Sequence, residues 1–102
     1  MIARVAQFGG INVEAAKATM DEAEAILGPM LQALPGYSGA LQLLDDGGSF
    51  ISISFFDTAE NAEAAEPTFD TEMPAKLGHL FAEWAGTRSS TGLFEVVADS
   101  RG

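Results

Sequence analysis

The chain has 102 residues, with fifteen Asp and Glu against five Lys and Arg and no cysteine. That length makes a single domain over 1–102, and a net charge of −10 repels phosphate backbones and anionic lipid, so neither nucleic acid nor a membrane is an expected partner. The absence of cysteine excludes disulfides, thiolate metal sites and cysteine nucleophiles.

Ile2 to Phe8 alternates loosely and reads as a strand ended by Gly9-Gly10. Asn12 then offers an N-cap. Val13, Ala16, Met20, Ala23, Leu27, Met30, Leu31 and Leu34 recur at steps of three and four, while Glu14, Lys17, Asp21, Glu22 and Glu24 fall off that stripe. The segment is therefore an amphipathic helix with one buried face. Thr19 to Glu22 also has capping-box spacing, which makes Met20 an alternative start. Gly28-Pro29 predicts a kink or break, because proline removes a donor and clashes with the preceding turn. Leu34-Pro35-Gly36 stops the helix.

Tyr37 to Leu44 and Ser49 to Phe56 are β-rich and flank Asp45-Asp46-Gly47-Gly48, the signature of a hairpin. Asp57 or Thr58 caps a helix that runs through Glu66 and is closed by Pro67. A further helix over Glu72 to Trp84 carries Pro74 in its first turn and Met73, Leu77, Leu80, Phe81 and Trp84 on one face. Gly86 is its expected C-terminal stop. Leu93 to Ala98 reads as the last strand, and Asp99 to Gly102 should fray. No apolar run is long enough for a signal peptide or a membrane span, so a cytoplasmic location is expected.

The order strand-helix-strand-strand-helix-strand predicts an α+β, ferredoxin-like sandwich: a four-stranded antiparallel sheet with helices on one face. Along the third strand Ile51, Ile53 and Phe55 oppose Phe50, Ser52, Ser54 and Phe56, and neither set is polar enough to face water. A second layer is needed for the face without helices, and a homodimer supplies it. That face is expected to carry Phe50 and Phe56.

LPGYSG (Leu34 to Gly39), ISISFFDTAENAEAAE (Ile51 to Glu66) and FEVV (Phe94 to Val97) resemble the antibiotic-biosynthesis-monooxygenase family of dimeric α/β barrels. The resemblance covers nearly the whole chain and rests on structural punctuation rather than on a catalytic signature. It implies a homodimer with a pocket for a small hydrophobic or aromatic molecule between each sheet and its helices. It further implies either a cofactor-independent monooxygenase acting on an aromatic or polyketide-like substrate or, as the alternative, a non-catalytic ligand-binding or structural dimer. Haem-degrading relatives use an Asn on the first strand, a Trp in the helix after the hairpin and a His in the next one. Here Ala6 or Gln7, about Ala65, and Met73 or Pro74 stand at those places, so no haem is expected, nor any other cofactor or metal.

His79 is the only histidine. It reads either as a general base at a pocket mouth or as a solvated residue paired with Glu83. Trp84 and Tyr37 are candidates for an aromatic pocket wall as well as for the core. Arg4, a cation within a short strand, either bridges to Glu95 across neighbouring strands or meets a ligand, with Gln7 beside it. Ser52 and Ser54 are hydroxyls without an evident base. Glu60, Glu63 and Glu66 read as a solvated helix side rather than a metal site. The expected site thus groups His79 as the catalytic residue with Trp84, Tyr37, Arg4 and Gln7 as substrate contacts.

Overall fold

In a computed structural model that describes residues 1–101, the chain runs β1 (Ile2–Gly9), α1 (Val13–Gln32), β2 (Tyr37–Leu44), β3 (Phe50–Phe56), α2 (Ala59–Ala64), α3 (Met73–Trp84) and β4 (Thr87–Glu95). The four strands form one antiparallel sheet in the order β2-β3-β1-β4. This is the expected ferredoxin-like architecture. No helix of the described residues is long and apolar enough to cross a membrane.

Asn12 caps α1, its Oδ1 accepting from the Ala15 amide at 3.1 Å. Thr19 does not restart the helix. Its hydroxyl donates to the Ala15 carbonyl, a mid-helix back-bond rather than a cap. Of the kink or break expected at Gly28-Pro29, the break does not occur: α1 continues to Gln32 with Pro29 inside it. Pro29 lies in the last turns, where the missing donor costs little cooperative structure.

Thr58 rather than Asp57 is the N-cap of α2, accepting from the Asn61 amide at 3.1 Å. The helix is shorter than expected, and Pro67 does not close it but leads into a single π-helical turn, Thr68–Glu72, that joins α3. The left-handed residue ending α3 is Ala85, with φ 59°, not Gly86. A Cβ at Gly86 would meet the tip of the Ile11 side chain, which would have to turn aside.

The last strand is the largest departure. It begins at Thr87 and ends at Glu95, pairing Thr87 with Gly9 and Glu95 with Ile2 across a bulge at Gln7/Phe8. Its first six residues, TRSSTG, form an exposed sheet edge, so they carry none of the apolar alternation by which a half-buried strand is recognised. The fraying expected at Gly102 falls outside the described residues.

Strand parity assigns the two faces. Ile2, Arg4, Ala6 and Phe8 of β1 stand opposite Phe56, Ser54, Ser52 and Phe50 of β3, and all face the helices. Phe50 and Phe56 are buried there, at 6% and 0% exposure. They do not lie on the helix-free face, as the sequence suggested. That face carries Ile51, Ile53 and Phe55 instead, flanked by Leu41, Leu43 and Phe94 in register. Leu41, Leu43 and Phe94 are exposed. The parity sets were correct, and only the face they present was reversed.

The turn before β3 is tied to β1's exit, with the Ile11 amide donating to the Gly48 carbonyl at 3.0 Å. Gly48 sits at φ +85°, and a Cβ would come within 2.7 Å of the Ile11 carbonyl oxygen. Gly48→Ala should therefore lower unfolding free energy by at least about 1–2 kcal/mol. A urea midpoint equal to that of the unaltered protein would contradict this.

Candidate functional site

On the helix-facing side, bulky residues stand at the strand ends and small ones in the middle. Phe50 packs against Phe8 and Trp84, with ring centroids 5.8 and 6.1 Å apart, and Phe81 lies 5.4 Å from Trp84. At the other end Phe56 packs edge-on against Tyr37 at 6.0 Å and Phe69 at 6.4 Å. Between these two aromatic pillars the sheet offers Ala6, Ser52 and Ser54, with Gln42 beside Ser52 and Arg4 turned toward Glu66, so no large apolar side chain fills the gap and the helices are held away from it. The result is a cavity of about 310 Å³, at the small end of the range for ligand sites. Ile11, Met20, Leu27, Leu31, Met73 and Pro74 complete the apolar walls, and Gln42, Ser52, Ser54 and Arg4 make the floor polar.

The helix layer is fixed over this space by a polar tie. The indole Nε1 of Trp84 donates to Thr19 Oγ1 at 2.7 Å, joining α3 to α1. Outside it, His79 Nε2 lies 3.1 Å from Glu22 Oε2, linking the same two helices at the surface.

Arg4 is only 3% exposed, an unusual burial for a cation. Its Nε and one Nη donate to the two carboxylate oxygens of Glu66 at 2.9 and 3.3 Å. Its guanidinium carbon sits 4.0 Å from the centre of the Phe69 ring. Asp70 Oδ1 is 3.9 Å from the same Nη and accepts from Arg88 at 3.1 Å. The predicted Arg4–Glu95 bridge does not form. Leu93 stands opposite Arg4 in the sheet and Glu95 opposite Ile2, while the helical segment brings two carboxylates closer. Glu66 precedes the π-helical turn, and the turn itself carries Phe69 and Asp70 to the same guanidinium.

Of the five expected site residues, the structure brings Arg4 and Trp84 to the cavity. The other three stand elsewhere. Gln7 pairs with Ile51 and Ser90 and so points to the helix-free face, one residue out of phase with Arg4 and Ala6. Tyr37 is part of the pillar around Phe56 and does not line the cavity. The His79 side chain is 59% exposed and meets Glu22, not Glu83. Glu66, Asp70, Arg88 and Gln42 went unnoticed as site residues. For Gln42 and Arg88 the signal is their parity with Ser52 and Phe8, which can be read only once the register is known; Glu66 and Asp70 have none.

Chemically, the cavity can hold a flat apolar body and hydrogen-bond its oxygens. Glu24 and Asp70 are the proton acceptors on its lining, and Arg4 and Arg88 its fixed cations. The thioethers of Met20 and Met73 are present, but no imidazole, thiolate or phenolate lines the space, so these residues do not fit a haem iron. Among the described residues no group of three or more His, Cys, Asp or Glu side chains is arranged to hold a metal.

No family model matches the chain, and no curated protein does so. Solved structures do match over nearly its whole length. SnoaB, a cofactor-independent oxygenase from Streptomyces nogalater, superposes with a TM-score of 0.64 at 19% identity, covering 99% of this chain and 97% of that one. The heme-degrader MhuD from Mycobacterium tuberculosis, solved with two hemes bound in its active site, gives 0.66 at 17% identity over 98% and 99%. A structure of an antibiotic biosynthesis monooxygenase gives 0.63 at 15%, covering 96% and 100%. The chain has the antibiotic-biosynthesis-monooxygenase-like fold.

Trp84→Phe keeps the aromatic pillar but removes the bond to Thr19, and should cost about 1 kcal/mol in urea unfolding. A cost near zero would mean that the tie contributes nothing. Burial, with Glu24 adding to it, pushes the Tyr37 phenol above its ordinary 10.0. The unfolded chain then ionises first, so this contribution to stability is intact below pH 10 and is lost as pH rises through the raised value. Tyr37→Phe should flatten the alkaline fall in melting temperature; an unchanged alkaline profile would contradict the assignment.

Proposed function

We propose that this protein binds a flat aromatic or polyketide-like molecule in the cavity and oxygenates it without haem, flavin or metal. The observation that carries this reading is the cavity itself. Five aromatic rings, Phe8, Phe50, Phe69, Phe81 and Trp84, surround a floor of two serines, a glutamine and an arginine. The likeness to a cofactor-independent oxygenase supports the same reading. In such a reaction the substrate's own phenol loses its proton and the phenolate reduces molecular oxygen. The resulting carbon–oxygen bond yields a hydroperoxide. Loss of water then leaves one oxygen atom in the product as a carbonyl and sends the other out as water. The protein's part is to hold the ring system dry, take the proton on Glu24 or Asp70, and donate hydrogen bonds to the anion.

Oxygen uptake with a panel of dihydroxyanthracenones, in the presence of a chelator and without added flavin, tests this. One molecule of oxygen consumed per product is expected. Binding without any oxygen uptake would favour the second reading, a non-catalytic ligand-binding dimer, which the lack of an imidazole on the cavity wall supports. His79→Ala should leave turnover unchanged, since His79 stands outside the cavity; a large loss would return it to the site.

The protein is further proposed to work as a homodimer in the cytoplasm. The helix-free apolar face, with Leu41, Leu43 and Phe94 exposed and Ile51, Ile53 and Phe55 half-buried beside them, supports the assembly. Light scattering should give twice the chain mass, and Ile53→Lys at the centre of that face should give monomer. A monomeric mass for the unaltered protein at micromolar concentration would overturn it.

A further inference from the structure

We infer that Arg4 is a carboxylate-binding subsite, so that the cavity selects a flat aromatic molecule bearing one carboxylate. This rests on reading the cavity as the ligand site. Burying an arginine is costly, and apolar residues at such positions are often as stable or more so. Here every neighbour restricts how the guanidinium can act. Glu66 occupies its side edge through Nε and one Nη. Phe69 covers one face at 4.0 Å.

The end edge, formed by the two Nη groups, carries the remaining donors. Asp70 approaches that edge only to 3.9 Å, beyond hydrogen-bonding distance. The same Asp70 oxygen is held by Arg88 at 3.1 Å, so Arg88 keeps the competing carboxylate off Arg4. Among the described residues no buried side-chain nitrogen or oxygen lacks a partner, so the Arg4 nitrogen that Glu66 leaves unpaired keeps a little accessible surface, and the space Arg4 lines is the cavity. A planar fork of parallel N–H groups matches a carboxylate, and Ser54, directly opposite Arg4 in the sheet, can donate to the same group.

Trp84 is the only tryptophan and lines the cavity, so quenching of its fluorescence reports occupancy. The probes are anthracene-9-carboxylate and the neutral anthracene-9-methanol. The unaltered protein should bind the carboxylate more tightly. Arg4→Met, which leaves the half-solvated Glu66 free to meet water, should weaken the carboxylate at least about tenfold, the low end for a charged hydrogen bond, and leave the alcohol unchanged. Asp70→Asn, at a surface position that does not threaten folding, should tighten the carboxylate alone. The inference is overturned if the unaltered protein does not prefer the carboxylate, if Arg4→Met weakens both probes alike or neither, or if Asp70→Asn weakens the carboxylate. Should neither probe quench Trp84 in the unaltered protein, the reading of the cavity as a ligand site falls with it; binding of the alcohol alone overturns only the carboxylate subsite.

Discussion

The order of side-chain sizes along two adjacent central strands governs what this molecule can do. On the helix side β3 reads Phe, Ser, Ser, Phe, and β1 opposite it reads Phe, Ala, Arg, Ile. Close packing is the rule in protein interiors, yet helices resting on large rings at both ends of a strand cannot descend onto serines between them. The Phe8–Phe50–Trp84 cluster and the Tyr37–Phe56–Phe69 cluster are thus spacers as much as core. The cavity follows from side-chain volume without any special loop.

The charges are arranged around the same gap. A chain with so few cations places two of them, Arg4 and Arg88, at the cavity, with Asp70 between them. The π-helical turn matters because it is where Phe69 and Asp70 are presented together, and such turns recur at functional sites. An ordinary salt bridge would have needed only Glu66. The additional ring fixes the orientation of the guanidinium while Arg88 draws the second carboxylate aside, which orients a donor more than it stabilises a fold.

Periodicity made the fold legible. α1, the hairpin and α3 each have strong internal repeats, and the strand order follows from them. β4 was placed too late because an edge strand exposed on both sides has no apolar alternation to read. The site was harder, since a cavity is a product of register. Without knowing that Phe50 stands against Phe8 and Ser52 against Ala6, the face carrying the large rings could be taken for the outer one. Rarity was a mixed guide to site residues. It found Trp84 and Arg4 at the cavity, but His79 is rare and solvated. Gln7 shares a strand with Arg4 and faces the other way. Glu66 reads as ordinary acidic helix surface until its pairing with Arg4 is seen, and Asp70 carries no sequence signal at all.

The central claim is that the small residues between the pillars exist to leave room for a ligand. Replacing Ser52 by leucine fills that room with apolar volume from the floor. Fluorescence titration of Ser52→Leu with anthracene-9-methanol, alongside its thermal melt, tests the claim most directly. The account predicts that quenching of Trp84 is lost while the melting temperature holds or rises, because an open apolar space has been filled. Undiminished quenching, or a melt that falls sharply as it would in a space already packed, would contradict it.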